Sequence, residues 1–146
     1  MIVITDSNII VSALIKPNGA IASIFKQKSK IQFFAPDFLL IELKNHLPRI
    51  AKISDLNSKE LNSEIEFLKE RISFISIEKI PKKYIREAYE IVKDIDIDDT
   101  FFVALNIYSG YKIWTTDNIL KNGLINKGYN ICITTAELRK FLFKKL

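Results

Sequence analysis

The chain has one cysteine, one histidine and four glycines in 146 residues. Cys132 alone excludes an internal disulfide, and a chain without disulfides is expected in a reducing cytoplasm. Cys132 and His46 together fall short of the four Cys or His ligands of a structural zinc site. The glycines make neither G-x-G-x-x-G nor a P-loop, so a nucleotide-cofactor reading has no motif behind it. One histidine, on a helix expected at the surface, gives a Ser-His-Asp triad little support. No apolar run approaches the ~20 residues of a membrane-spanning helix, so no membrane partner is expected. The opening "MIVITDSNIIVSALI" is apolar but lacks a basic leading segment, and Asp6 interrupts it early. It reads as a first strand and helix rather than a signal peptide.

What is there suits one globular domain over residues 1–146. Apolar residues make up 48% and charged residues 27%. Lys and Arg number 22 against 17 Asp and Glu, a net charge of +5, which favours an anionic partner without naming one.

Strand-like and helical patterns alternate along the chain. Residues 2–5 read as a short buried strand, Asp6-Ser7-Asn8 as a turn or cap, and the stretch to Ile15 as an apolar helix. "KPNGA" (16–20) is a turn. A short helix is expected at 20–28 and a second strand at 31–35, after which Pro36 and Asp37 suit a helix start. A helix at 37–51 is apolar enough to be buried on much of its surface. Another at 58–72 places Leu61, Ile65, Leu68 and Ile72 at helical spacing. A third strand follows at 73–77. Pro81 opens a helix with Ile85, Ala88, Tyr89 and Val92 on one face. The next helix buries Phe101, Phe102, Leu105 and Tyr108 and ends at Gly110. Residues 111–116 are the fourth strand, 118–126 a helix, 130–134 a short fifth strand, and 135–145 a last helix. Short, β-branched strands alternating with helices predict an α/β fold: a three-layer α/β/α sandwich around a short, mainly parallel sheet. Cys132 and Trp114, both in strands, are expected in its core.

The acids are not spread evenly. "DIDIDD" packs four carboxylates into Asp94–Asp99, and Asp117 follows an apolar run and Thr-Thr. Ligands of open parallel sheets bind beyond the carboxyl ends of the strands. Asp6 lies just past strand one, Asp117 just past strand four, Asp99 at the start of the helix before strand four, and Glu42 within "FLLIELK" after strand two. If strands one and four are neighbours, these four acids converge on one cleft. Each also has a local reading. Asp99 and Asp117 suit helix N-caps, Asp6 a turn or cap, and Glu42 a narrow polar stripe with Lys44 and Asn45. Jointly they suit a hard divalent cation, Mg²⁺ or Mn²⁺, since clustered carboxylates repel until a cation relieves them. Setting those four aside leaves 13 acids against 22 bases, so the rest of the chain carries +9. A basic body around an acidic metal pocket suits a nuclease, whose substrate is a polyanion.

With these residues in place, the chain resembles PIN-domain ribonucleases, and in size it is similar to a VapC-type toxin. "VITDSNIIVSAL" is similar to the family's opening strand, with Asp6 followed by Asn8. "DDTFFVALNIYSGYKIWTTD" resembles its third motif, and Glu42 falls where a family acid lies. The resemblance implies that Asp6, Glu42, Asp99 and Asp117 hold one or two Mg²⁺ or Mn²⁺ ions for hydrolysis of RNA phosphodiester bonds. Asp96 is an additional metal-ligand candidate. Asp98 competes with Asp99, which ranks first by its offset from Asp117. By the same resemblance, Asn8 orients Asp6 through a hydrogen bond and Thr115 supports the site through its hydroxyl. Asn118 stands where a basic residue is common in the family. The implied partners are an RNA substrate, a small antitoxin protein and a second copy of the chain in a homodimer; the helices at 38–51 and 58–72 are the region used for the protein contacts. A stand-alone RNA-processing nuclease, or a catalytically silent PIN fold that binds RNA or protein, are the alternatives.

Other motifs are weaker. Asp96-Ile97-Asp98-Asp99-Thr100 fits the Asp-x-Asp-x-Thr of haloacid-dehalogenase-type phosphatases, but the preceding residues read as a helix end and loop rather than a buried strand. Asp94, Asp96 and Asp98 start like a calcium EF-hand loop, yet its sixth position is Asp99 where glycine is needed and its twelfth is Leu105 where glutamate is needed. The tail "RKFLFKKL" reads as a helix with a solvated basic face, or as an RNA or partner contact.

Overall fold

The computed structural model describes residues 1–28 and 30–143. Five strands, β1 (Ile2–Thr5), β2 (Gln32–Pro36), β3 (Ile72–Ile75), β4 (Lys112–Trp114) and β5 (Cys132–Ile133), form one sheet in the order β3-β2-β1-β4-β5. Every neighbouring pair is parallel. Helices α1 (Ser7–Ile15) and α2 (Ala20–Lys26) connect β1 to β2. Helices α3 (Phe38–Ile53) and α4 (Ser58–Arg71) connect β2 to β3. The chain then reverses. Helices α5 (Lys82–Val92) and α6 (Thr100–Ser109) lead from β3 back across the sheet to β4, and α7 (Asn118–Asn126) leads on to β5, followed by α8 (Thr135–Leu142). Parallel crossovers are right-handed, so connections running in opposite directions along the sheet place their helices on opposite faces. The expected α/β/α sandwich results.

Strand one sits at the centre, with Ile4 opposite Phe34 of β2 on one side and Ile113 of β4 on the other. Between β1 and β4 the order of connection reverses, which makes a crevice at the carboxyl ends of these two strands. Trp114, Phe25 and Phe33 fill the core below it, with ring centroids 4.6–5.8 Å apart. Trp114 and Cys132 are buried, as expected of strand residues. No single helix among the described residues is long and apolar enough to cross a membrane.

Several local expectations are corrected. Pro36 closes β2 instead of opening a helix, and the register with β3 pairs it with Ile75. Ile72 belongs to β3 rather than to the preceding helix. Helix α3 buries only Leu39, Leu43 and Ile50, and Ile41 is 55% exposed. A 100° turn per residue gives even a run of four aliphatics an outward member. Tyr108 is 49% exposed rather than buried, and its ring packs on Tyr84 of α5, with centroids 5.4 Å apart. Tyr89 is likewise exposed, and Ile91 takes the buried position instead. Gly110 ends α6 in the left-handed conformation at φ 81°, which its missing side chain allows. The last helix reaches Leu142, with Arg139 and Lys140 exposed; the part of the basic tail at 144–146 lies outside the described residues.

Candidate active site

Asp6 leaves β1 at the central crevice, only 2% exposed. Its backbone N–H donates to the Trp114 carbonyl at 3.1 Å, which continues the β1–β4 ladder by one residue and holds Asp6 beside the end of β4. The Thr115 hydroxyl donates to Asp6 Oδ2 at 2.6 Å and accepts the backbone N–H of Asp117 at 3.0 Å. One hydroxyl thus joins the ends of both strands. Burial raises the Asp6 carboxyl above the ordinary carboxylate range. The Thr115 hydroxyl and the backbone N–H groups of Ser7 and Asn8 oppose this, and the Asp117 charge adds to it. Asp117 caps α7, with Oδ1 accepting from the N–H groups of Ile119 and Leu120 at 2.9 and 3.1 Å. The local cap role and a place beside the crevice coexist in this residue.

Asp99 ends a 3-10 turn, Ile97–Asp99, at the entrance to α6. It stands at the cap position but makes no capping bond, and its Oδ2 is buried with no hydrogen-bond partner. Its carboxyl is pushed up to about 8, first by burial and then by the charges of Asp6, Asp96, Asp117 and Glu42. Of the two adjacent acids, Asp99 is buried and Asp98 exposed. Asp96 is exposed and caps the 3-10 turn by accepting the N–H of Asp98 at 3.0 Å. Asp94 pairs with Lys127.

Glu42 is half-buried on α3, with Oε1 unpartnered. Burial pushes its carboxyl up to about 7. A hydrogen bond from the Ser7 side chain opposes that shift, while Asp6, Asp98 and Asp96 add to it. Helix α3 meets α6 one turn earlier, where the Phe38 and Phe101 rings lie 5.0 Å apart. That contact faces the Glu42 end of α3 toward the Asp99 end of α6. Beneath the group lies Cys132. Burial pushes its thiol up to about 11, and Asp6, Asp99 and Asp117 contribute to the rise. A thiol held protonated in this way is no nucleophile at neutral pH.

Residues 4–140 match the PIN domain family. The chain belongs to that family. The PIN domain is also similar in fold to a chain of the crystal structure of VapBC2 from Rickettsia felis bound to a DNA fragment from their promoter. The TM-score is 0.64 and the identity 15%, over 92% of this chain and 97% of that one. No curated protein matches significantly.

The PIN domain brings Asp6, Glu42, Asp99 and Asp117 to one crevice from four separate elements, close enough for each of these charges to act on another of the set. Asp96 and Asp98 stand at its rim. Among the described residues, no three His, Cys, Asp or Glu side chains are drawn together into a ready ligand set. The donor chemistry fits a hard divalent ion: every candidate ligand is a carboxylate oxygen, and two of these oxygens are buried without a partner.

The Thr115 hydroxyl, expected to support the site, lies between Asp6 and the start of α7. Asn8, expected to orient Asp6, is exposed, and its backbone N–H bonds to Asp6. Position two of a helix faces outward here, because Ile9 and Ile10 take the inward face of α1. Ser7 was not anticipated as a site residue. It is 6% exposed and reaches Glu42 across the crevice. Its one sequence signal was its place beside Asp6, which a turn residue shares.

Proposed function

We propose that this PIN domain is a divalent-metal-dependent endoribonuclease acting as the toxin of a toxin–antitoxin pair. The observation that carries the reading is electrostatic: four carboxylates from distant parts of the chain lie within reach of one another's charge, and two of their oxygens are buried without partners. PIN domains as a family are generally nucleases that use divalent ions, and a similar fold occurs in a VapBC complex. The basic remainder of the chain, +9 beyond the four acids, supports a polyanionic substrate.

Asp6, Glu42, Asp99 and Asp117 would hold Mg²⁺ or Mn²⁺, with Asp96 as a further ligand at the rim. The ion, when bound, supplies charge neutralisation for a phosphate and makes water a stronger acid. The protein's own part is preorganisation. Thr115 fixes Asp6 Oδ2, the α7 N–H groups fix Asp117 Oδ1, and Ser7 holds the Glu42 side chain in the crevice. Without a cation, Asp99 and Glu42 retain protons near neutral pH, since burial disfavours their charged forms. Cation binding would release those protons. A small antitoxin and a second copy of the chain are the protein partners of this reading.

The test is cleavage of RNA by the wild type and by Asp6→Asn with Mn²⁺ and with Mg²⁺. Loss of cleavage of at least about 100-fold in the variant is expected. Equal cleavage by both proteins would remove the site assignment. No cleavage and no Mn²⁺ binding by the wild type would favour a silent RNA- or protein-binding PIN fold instead.

A further inference from the structure

Glycine inside a helix costs stability relative to alanine, because the unfolded chain is freer. Gly123 nevertheless lies in the middle of α7. Its surroundings supply a reason. A Cβ at this position would stand 2.8 Å from Ile95 Cδ1, 3.0 Å from Cγ1 and 3.2 Å from Cγ2. The Ile95 side chain therefore rests on bare helix backbone. Ile95 is β-branched and stiff about χ1, and it also packs against the core, so it has little room to withdraw.

One turn later, Lys127 grips the same corner. Its Nζ donates to the Ile91 carbonyl at 2.6 Å and pairs with Asp94. Ile91 lies in the last turn of α5, where carbonyls have no donor within the helix. Residues 91–95 run directly into Asp96, Asp98 and Asp99. At the other end of α7, Asp117 is the N-cap. A single helix thus links Asp117 to the turn that carries the remaining aspartates. Asp117 and Gly123 are six positions apart, a lever of about 9 Å.

We infer that Gly123, Ile95 and Lys127 form a brace that sets the gap between Asp117 and the Asp96–Asp99 turn, and so positions these carboxylates for a divalent cation. The inference rests on the metal-site reading above. None of the three touches the crevice; they act as positioning residues, through the placement of α7.

The test is Mn²⁺ binding to the full chain, by calorimetry and by the Mn²⁺ spin-resonance signal, alongside Tm. Gly123→Ala is expected to weaken Mn²⁺ binding about tenfold. Its metal-free Tm should fall only modestly, because the helix preference of alanine offsets part of the overpacking against Ile95. A contact of purely structural value would lower Tm and leave Mn²⁺ binding unchanged. Combining Gly123→Ala with Ile95→Val removes Cδ1, the atom nearest the new methyl, keeps the rest of the contact and should recover most of the lost affinity. Lys127→Met, which keeps the aliphatic stem and removes the ammonium, should weaken binding without the glycine change, and it decides the matter alone if Gly123→Ala does not fold. The brace is overturned if both single variants bind Mn²⁺ as the wild type does, or if the double variant is as weak as Gly123→Ala. A wild type that binds no Mn²⁺ removes the metal-site reading and the brace with it. A wild type that binds, with variants unaffected, removes the brace alone.

Discussion

Thr115 and Asp6 lie 109 positions apart in the chain, and the hydroxyl of one donates to Oδ2 of the other at 2.6 Å. The bond is buried, and it is the largest influence opposing the rise that burial imposes on the Asp6 carboxyl. Thr115→Val keeps the shape and removes the donor. It is expected to push the Asp6 carboxyl further up and to lower Mn²⁺ affinity and RNA cleavage by about 10–100-fold. Thr115→Ser should retain most of both. Cleavage by Thr115→Val at the wild-type rate would show that Asp6 needs no such support.

Asp99 supplies a pH prediction for the metal-free protein. In the fold its carboxyl holds a proton up to about pH 8. In the unfolded chain the proton leaves at about pH 4. Between those values the unfolded state binds fewer protons than the folded state, so stability falls as pH rises through this window and the loss is complete above the folded value. Asp99→Asn removes the titration. With chelator present, its Tm should exceed the wild type's at about pH 8, by the equivalent of a few kcal/mol, and the two should converge near pH 4. A gap in Tm that stays the same across this range would count against the buried, protonated carboxyl.

The same protons compete with the cation. Ligand carboxylates must ionise before they bind a metal, so affinity rises with pH. Glu42, pushed up to about 7, and Asp99, pushed up to about 8, are the two that resist. Mn²⁺ should therefore raise Tm more at about pH 8 than at about pH 5, and binding should release protons that titration in buffers of different ionisation enthalpy can count. Equal stabilisation at both pH values would mean that the cation binds elsewhere.

Ser7 restrains Glu42 through a hydrogen bond to the carboxylate. Ser7→Ala removes that restraint and leaves burial and neighbouring charge unopposed. The acid limb of the pH–rate profile for RNA cleavage should move to higher pH, with the rate on the alkaline plateau less affected. An unmoved profile would remove Ser7 from the site.

Sequence patterning alone carried the alternation of strands and helices and the list of acids, because both are local: apolar period, turn residues and charge density need no knowledge of neighbours in space. Gly110 and the short β-branched strands were legible for that reason. The placement of Asp6 and Asp117 past strand ends was legible too, once β1 and β4 were assumed adjacent. Pairing of β1 with β4, not sequence, makes them neighbours.

Tertiary structure decided the rest. Whether Asp99 or Asp98 turns inward depends on the 3-10 turn that precedes α6, and the turn buries Asp99. Asp117 could be read as a cap or as a site residue, and the fold leaves it room to be both, since capping occupies Oδ1. Ser7 enters the site and the Asn8 side chain does not, because α1 begins with Ser7 facing Glu42 and Asn8 facing out. Sequence determined which ionisable groups the chain possesses and which elements bear them. Their burial, their partners and their mutual repulsion arise only when elements distant in the chain close on one crevice, because desolvation and Coulomb energy depend on distances in space.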